Sequence, residues 1–151
     1  MRTVPKVGAA ILLGLTALAG TAAQVQGWGD LDALLFPALT ASGTAEASFW
    51  LPDAERSAAA TEALGVVYEA IPGAAGNTSI SVGLFRKGDA GFALAGLVDG
   101  VFGYTPRDAL FLPDRIEITT TALAEGDPRC CPTGTTRWAI DRASLAAEPL
   151  R

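Results

Sequence analysis

The chain has 151 residues, half of them hydrophobic, with 11 basic and 16 acidic side chains, a formal net charge of −5 and no histidine. The acidic balance argues against nucleic acid, whose phosphates need a basic footprint, and Arg86, Arg107, Arg115, Arg129, Arg137 and Arg142 are scattered rather than grouped. Without histidine there is no Ser-His-Asp triad, no Cys-His dyad and no histidine-held zinc or haem.

Residues 1–23 read as a signal peptide. Arg2 and Lys6 precede an apolar run from Val7 to Ala19, and small residues close it at Thr21-Ala22-Ala23. The run is shorter than the roughly 18–20 residues a bilayer-spanning helix needs. Leu18-Ala19-Gly20 resembles the approach to a lipidated cysteine, but Thr21 follows and offers no thiol. The expectation is cleavage after Ala23 and no stable membrane anchor after processing. That leaves a single periplasmic or secreted domain at 24–151. Losing Arg2 and Lys6 leaves 9 basic against 16 acidic residues, a charge of −7, which keeps an exported domain soluble. A chain of this length can build its own core without a cysteine framework.

In the mature part, Asp30 can cap a short helix through Leu31-Asp32-Ala33-Leu34-Leu35-Phe36, limited by Pro37 and Gly43, with Leu31, Leu34 and Leu35 on one core-facing side. From Thr44 the period becomes two: Ala45, Ala47, Phe49 and Leu51 alternate with Glu46, Ser48 and Trp50, as in a half-buried strand. Asp53 is then expected to cap an alanine-rich helix reaching about Leu64. A β-branched and aromatic strand follows at 65–71, closed by Pro72 and Gly73. Residues 79–85 and 92–98 read as a hairpin around Gly88-Asp89 and Gly91. Residues 99–115 look like a glycine-broken loop carrying a short strand. Arg115 to Leu123 is the strongest strand, and Thr135 to Asp141 the last, before a turn at 143–148. The fold class is β-dominated α+β: an antiparallel meander with one or two short N-terminal helices.

For chemistry, carboxylates, thiols and Lys87 remain. Asp30 with Asp32, Asp53 with Glu55, and Asp108 with Asp114 could pair as in a glycan hydrolase, but aspartate at such places ordinarily serves caps and turns. No catalytic residue, metal site or cofactor is expected. The unusual feature is residues 126–134, where the only two cysteines, Cys130 and Cys131, lie side by side between Pro128 and Pro132. Exported thiols meet oxidant, yet adjacent Cα atoms are about 3.8 Å apart, under the usual disulfide span of roughly 4.4–6.8 Å. A Cys130–Cys131 bond, a bridge to another chain, a redox pair and a Cu(I) site all remain open, with a structural turn as the leading reading. Trp28, Trp50, Phe102 and Tyr104 stay open between core and exposed apolar patch, while Trp138 is expected in the core.

The segments at 112–118 and 126–133, with Thr136 to Asp141 and Leu145, resemble the C-terminal signature of a bacterial extracytoplasmic family that includes the LppP/LprE-type lipoproteins. Asp127, Pro128, Cys130, Cys131, Pro132 and Thr133 carry that D-P-x-C-C-P-S/T likeness. Pro113 stands where the family has a turn glycine, and the lipidated cysteine is missing. The resemblance implies an envelope or extracellular domain and transfers no catalytic residue. The expected role is non-enzymatic: binding an unknown envelope or extracellular partner, or supporting the envelope. The alternative is thiol redox or Cu(I) handling by Cys130 and Cys131.

Overall fold

A computed structural model of the chain describes residues 27–41, 44–74 and 77–150; the expected leader at 1–23 lies outside them. Among the described residues one helix, α1 (Leu31–Leu39), precedes eight strands: β1 (Ala45–Pro52), β2 (Glu62–Ala70), β3 (Thr78–Gly88), β4 (Gly91–Val98), β5 (Tyr104–Phe111), β6 (Arg115–Ala122), β7 (Gly134–Asp141) and β8 (Ala147–Pro149). The strands form two four-stranded antiparallel sheets, ordered β1-β2-β3-β4 and β5-β6-β7-β8. The expected meander is present, folded back on itself as two sheets rather than laid out as one.

Period-two alternation explains how one strand serves two cores. In β2, Leu64, Val66 and Tyr68 face the second sheet. There they meet Val82 and Leu84 of β3 and Ile116, Ile118, Trp138 and Ile140 of β6 and β7. The opposite face of β2 and β3 presents Val67 and Phe85 to Leu35 and Leu39 of α1. The molecule is thus layered helix, sheet, sheet. Phe49 packs with the inter-sheet core and Trp50 with the helix-side cluster, so β1 contributes a partly buried side chain to each.

Asp30 Oδ1 accepts from the Ala33 amide at 3.0 Å and caps α1 as expected, and the helix continues two residues past Pro37 to Leu39. The helix expected after Asp53 is absent. Turns and bends occupy 53–59, and β2 begins at Glu62. Asp53 instead clasps the loop, accepting from the Thr61 amide at 3.0 Å and its hydroxyl at 2.6 Å. Ala60 and Ala63 are buried: small residues fit where the chain packs tightly, and that need overrides alanine's helix preference. The hairpin turn is tighter than the sequence implied, with Gly88 paired to Gly91. The glycine-broken segment holds a full eight-residue strand, β5. Register shifts on both sides of Arg107 accommodate Pro106 there, which an edge strand tolerates because one side needs no ladder donor.

Polar contacts join the sheets besides the core. The Asp99 amide donates to the Leu145 carbonyl at 3.0 Å, and the Ala147 amide to the Asp99 carbonyl at 2.7 Å. Arg142, just past β7, ion-pairs with Glu62 of β2 at 2.7 Å and donates to the Leu112 carbonyl at 2.6 Å. Glu62 also takes Arg86 at 3.1 Å. Among the described residues no helix is long and apolar enough to cross a membrane.

Candidate functional site

The cysteine loop joins β6 to β7, so it precedes two strands rather than one: β8 follows β7. Cys130 and Cys131 are disulfide-bonded to each other, with Cα atoms 3.8 Å apart, and both are exposed. The organising residue is Asp127. Its carboxylate accepts from the amides of Ala124 at 2.8 Å and Thr133 at 2.7 Å, and from the Thr133 hydroxyl at 2.9 Å. The Thr133 amide, then that of Ala124, hold its carboxyl below the usual range because hydrogen bonds favour the charged form. The Cys131 amide donates to the Pro128 carbonyl at 3.0 Å. The six residues singled out by sequence therefore form one closed loop, with its polar groups spent on its own shape.

A concave part of the molecule lies at the same end of the second sheet. Tyr104 pairs with Thr121, one residue before the end of β6 from which the loop springs. Here a cleft of about 390 Å³ is lined by Tyr68, Thr78, Ser79, Ile80, Phe102, Gly103 and Tyr104. A shallower lobe of about 380 Å³ continues past Tyr68 and Tyr104 to Glu46, Phe49 and Thr105. Tyr68 is its floor. The ring meets Phe49 edge-on at 5.9 Å and lies nearly parallel to Tyr104, 6.2 Å away at 13°. Burial, with a smaller contribution from Tyr104, pushes the Tyr68 hydroxyl up to about 12.

The rim is held by a relay from below. The Trp138 Nε1 donates to Thr120 Oγ1 at 2.9 Å, and that hydroxyl donates to the Phe102 carbonyl at 2.7 Å. The Tyr68 hydroxyl donates to the next carbonyl, Gly103, at 2.9 Å. Gly103 itself sits at φ +104, where any Cβ would lie 2.6 Å from both Thr120 Oγ1 and the Thr121 carbonyl oxygen. Consecutive carbonyls are thus pinned, and glycine is the only residue that fits between them. The side chains on either side rest on this anchorage, Phe102 against Trp138 and Tyr104 against Tyr68, yet Phe102 is 65% and Tyr104 50% exposed. Of the four aromatics left open by sequence, these two are exposed, whereas Trp50 packs against Trp28, Phe85 and Phe92. Trp138 is buried, as expected.

Sequence reasoning did not find Tyr68, Thr78 or Gly103. The available signal was aromatic-glycine-aromatic at 102–104, whose meaning depends on the relay.

In the carboxylate pairs weighed for a hydrolase, Asp30 caps α1 and Asp53 clasps Thr61. Asp32 accepts from Ser48 at 2.8 Å, Asp108 ion-pairs with Arg107 and Asp114 with Arg115. A third cleft, of about 380 Å³, contains Asp114, Asp141 and Glu148. Hydrogen bonds from the Ser144 amide and hydroxyl hold Asp141 below the carboxylate range, the reverse of what a proton-donating acid needs. Glu117, bound by Arg115 and Arg137, is lowered too, first by the Arg115 hydrogen bond. Among the described residues no three His, Cys, Asp or Glu side chains converge on a point that could hold a metal.

Together these features define a layered antiparallel β domain with an aromatic cleft free of basic side chains and a self-contained disulfide loop. No family model, curated protein or solved structure matches the chain.

Proposed function

We propose that this protein is an exported, non-enzymatic binding domain, periplasmic or secreted and without a lipid anchor, related to the extracytoplasmic proteins with the D-P-x-C-C-P-S/T loop. It presents the cleft between its sheets to an envelope or extracellular ligand. The observation that carries the reading is the pairing of exposed Phe102 and Tyr104 with a backbone pinned at both intervening carbonyls. Exposed aromatics on a held backbone form a preorganised surface that loses little conformational freedom on binding. The Cys130–Cys131 loop shapes the adjoining turn. Cell fractionation with intact-mass measurement tests export: the expected species begins at Gln24, resides outside the cytoplasm and resists alkylation until reduced. A full-length cytoplasmic species with two free thiols would end the proposal.

A second reading, thiol redox or Cu(I) handling, is favoured by the exposure of both cysteines and by the Asp127 clasp, which holds the loop through bonds other than the disulfide. Reduction would consume two electrons and two protons from an external dithiol and yield the two thiols as Cu(I) ligands. Titration of the reduced protein with Cu(I) decides it, and failure of copper to bind there removes the copper role.

A further inference from the structure

We infer that the cleft at Tyr68 and Tyr104 takes a neutral carbohydrate, one or two pyranose rings packed against the exposed aromatics. This deepens the binding reading and rests on it. The lining disfavours charged ligands and acyl chains. No lysine or arginine lines either lobe and the one ionisable carboxylate is Glu46, so phosphates, nucleotides and acidic polymers find no counter-charge and meet repulsion instead. The cleft is open and of about 390 Å³, within the roughly 300–1,000 Å³ of small-ligand sites, but it lacks the enclosed apolar interior that an acyl chain requires.

What remains is aromatic surface ringed by uncharged polar groups. A pyranose matches that pattern: its axial C–H face is apolar and packs on an aromatic ring, while its equatorial hydroxyls radiate toward polar partners. Tyr68 lies parallel beside Tyr104 at 6.2 Å and stiffens it, and half of the Tyr104 surface remains free for stacking. Around it stand Thr78, Ser79 and Glu46. The Thr78 hydroxyl and the Glu46 carboxylate line the lobes and are groups that bond sugar hydroxyls. A carboxylate accepts from two hydroxyls at once, which gives Glu46 an orienting role.

The test is amide-resolved NMR titration of the full mature chain with cellotetraose and chitotetraose to about 10 mM, enough to see a Kd near 1 mM. A blocked uncharged dipeptide, N-acetyl-Leu-Tyr-amide, serves as a parallel arm. At least one sugar is expected to give saturable shifts at Thr78, Ser79, Gly103 and Thr105. Tyr104→Ala should weaken it by about tenfold or more, and Tyr104→Phe, which keeps the ring, by less than about threefold. Shifts with the dipeptide and with neither sugar overturn the carbohydrate assignment and leave the binding reading standing. Silence in every arm ends both. Sugar binding that is indifferent to Tyr104→Ala in a variant folded like the parent refutes the stacking geometry, and if that variant fails to fold, loss of binding in Tyr104→Phe refutes it instead.

Discussion

Replacing Gly65 by alanine probes the seat of the helix. Gly65 lies in β2 between Trp50 and Gly83, on the face turned to α1. An added Cβ would stand 2.4 Å from Leu35 Cδ2 and 2.6 Å from Phe85 Cε2, whereas carbon atoms rest about 3.5–4.0 Å apart. Neither neighbour can retreat, because Leu35 and Phe85 are each 0% exposed. The helix must lift by about an ångström, opening the contacts of Leu39 and Val67. Overpacking of this kind costs about 1–3 kcal/mol, or roughly 3–5 °C in Tm for each kcal/mol in a chain of this size. Gly88→Ala is the control, since its Cβ meets nothing nearer than 3.9 Å, and its effect should stay within about 0.5 kcal/mol. The assay is urea and thermal unfolding followed by circular dichroism. Leu35→Ala alone should cost about 2–5 kcal/mol, but the double variant should lose less than the sum, by at least about 0.5 kcal/mol, as the new methyl enters the vacated space. Equal melting of Gly65→Ala and Gly88→Ala, or strict additivity with Leu35→Ala, would refute the packing argument.

Thr120→Val keeps the shape of a fully buried side chain but strands the Trp138 indole N–H and the Phe102 carbonyl. The expected loss is about 2–4 kcal/mol in urea unfolding, together with a shifted Trp138 indole proton in NMR; an unchanged indole signal would contradict the relay. At alkaline pH, the raised ionisation of Tyr68 means the unfolded chain releases its proton near 10 while the native state holds it. Stability from neutral Tyr68 is therefore complete below about 10 and disappears as pH rises through about 12. Absorbance at 295 nm should place that step with unfolding, and Tyr68→Phe should abolish it. At acid pH the sign reverses for Asp127, whose carboxyl is lowered. Its contribution is present above about 3.9 and is lost as pH falls through the depressed native value. Hydrogen exchange at Ala124 and Thr133 should accelerate over that interval in the parent. Asp127→Asn should already exchange fast and show no such step.

Much of the architecture was readable from local pattern. Asp30 marked the start of α1, alternation marked β1 and β6, and turn residues marked the β3–β4 hairpin, because caps, turns and strand faces are decided within a few residues. The same logic failed at 53–64, where the Asp53 clasp on Thr61 and the burial of Ala60 and Ala63 make the segment a turn leading into β2. It failed also at β5, where Pro106 and the glycines signalled loop; Thr105 and Asp108 instead take left-handed φ values of 48° and 55°, and the register shifts keep the strand paired. At the loop, Asp127 and Thr133 were named as signature residues, but not as the two ends of a clasp.

By itself the sequence determined that the chain is β-dominated, acidic and free of histidine chemistry, and it marked the six residues of the cysteine loop. Only tertiary structure decided that the meander closes as two sheets. It also decided that Phe102 and Tyr104 face outward while Trp138 supports them from within, and that Tyr68, thirty-five positions from Gly103, holds its carbonyl. Side-chain direction along a strand follows a local period, but the far face that each side chain meets depends on how distant strands stack. A cleft assembled from β1, β2, β3 and β5 exists only after that stacking is complete.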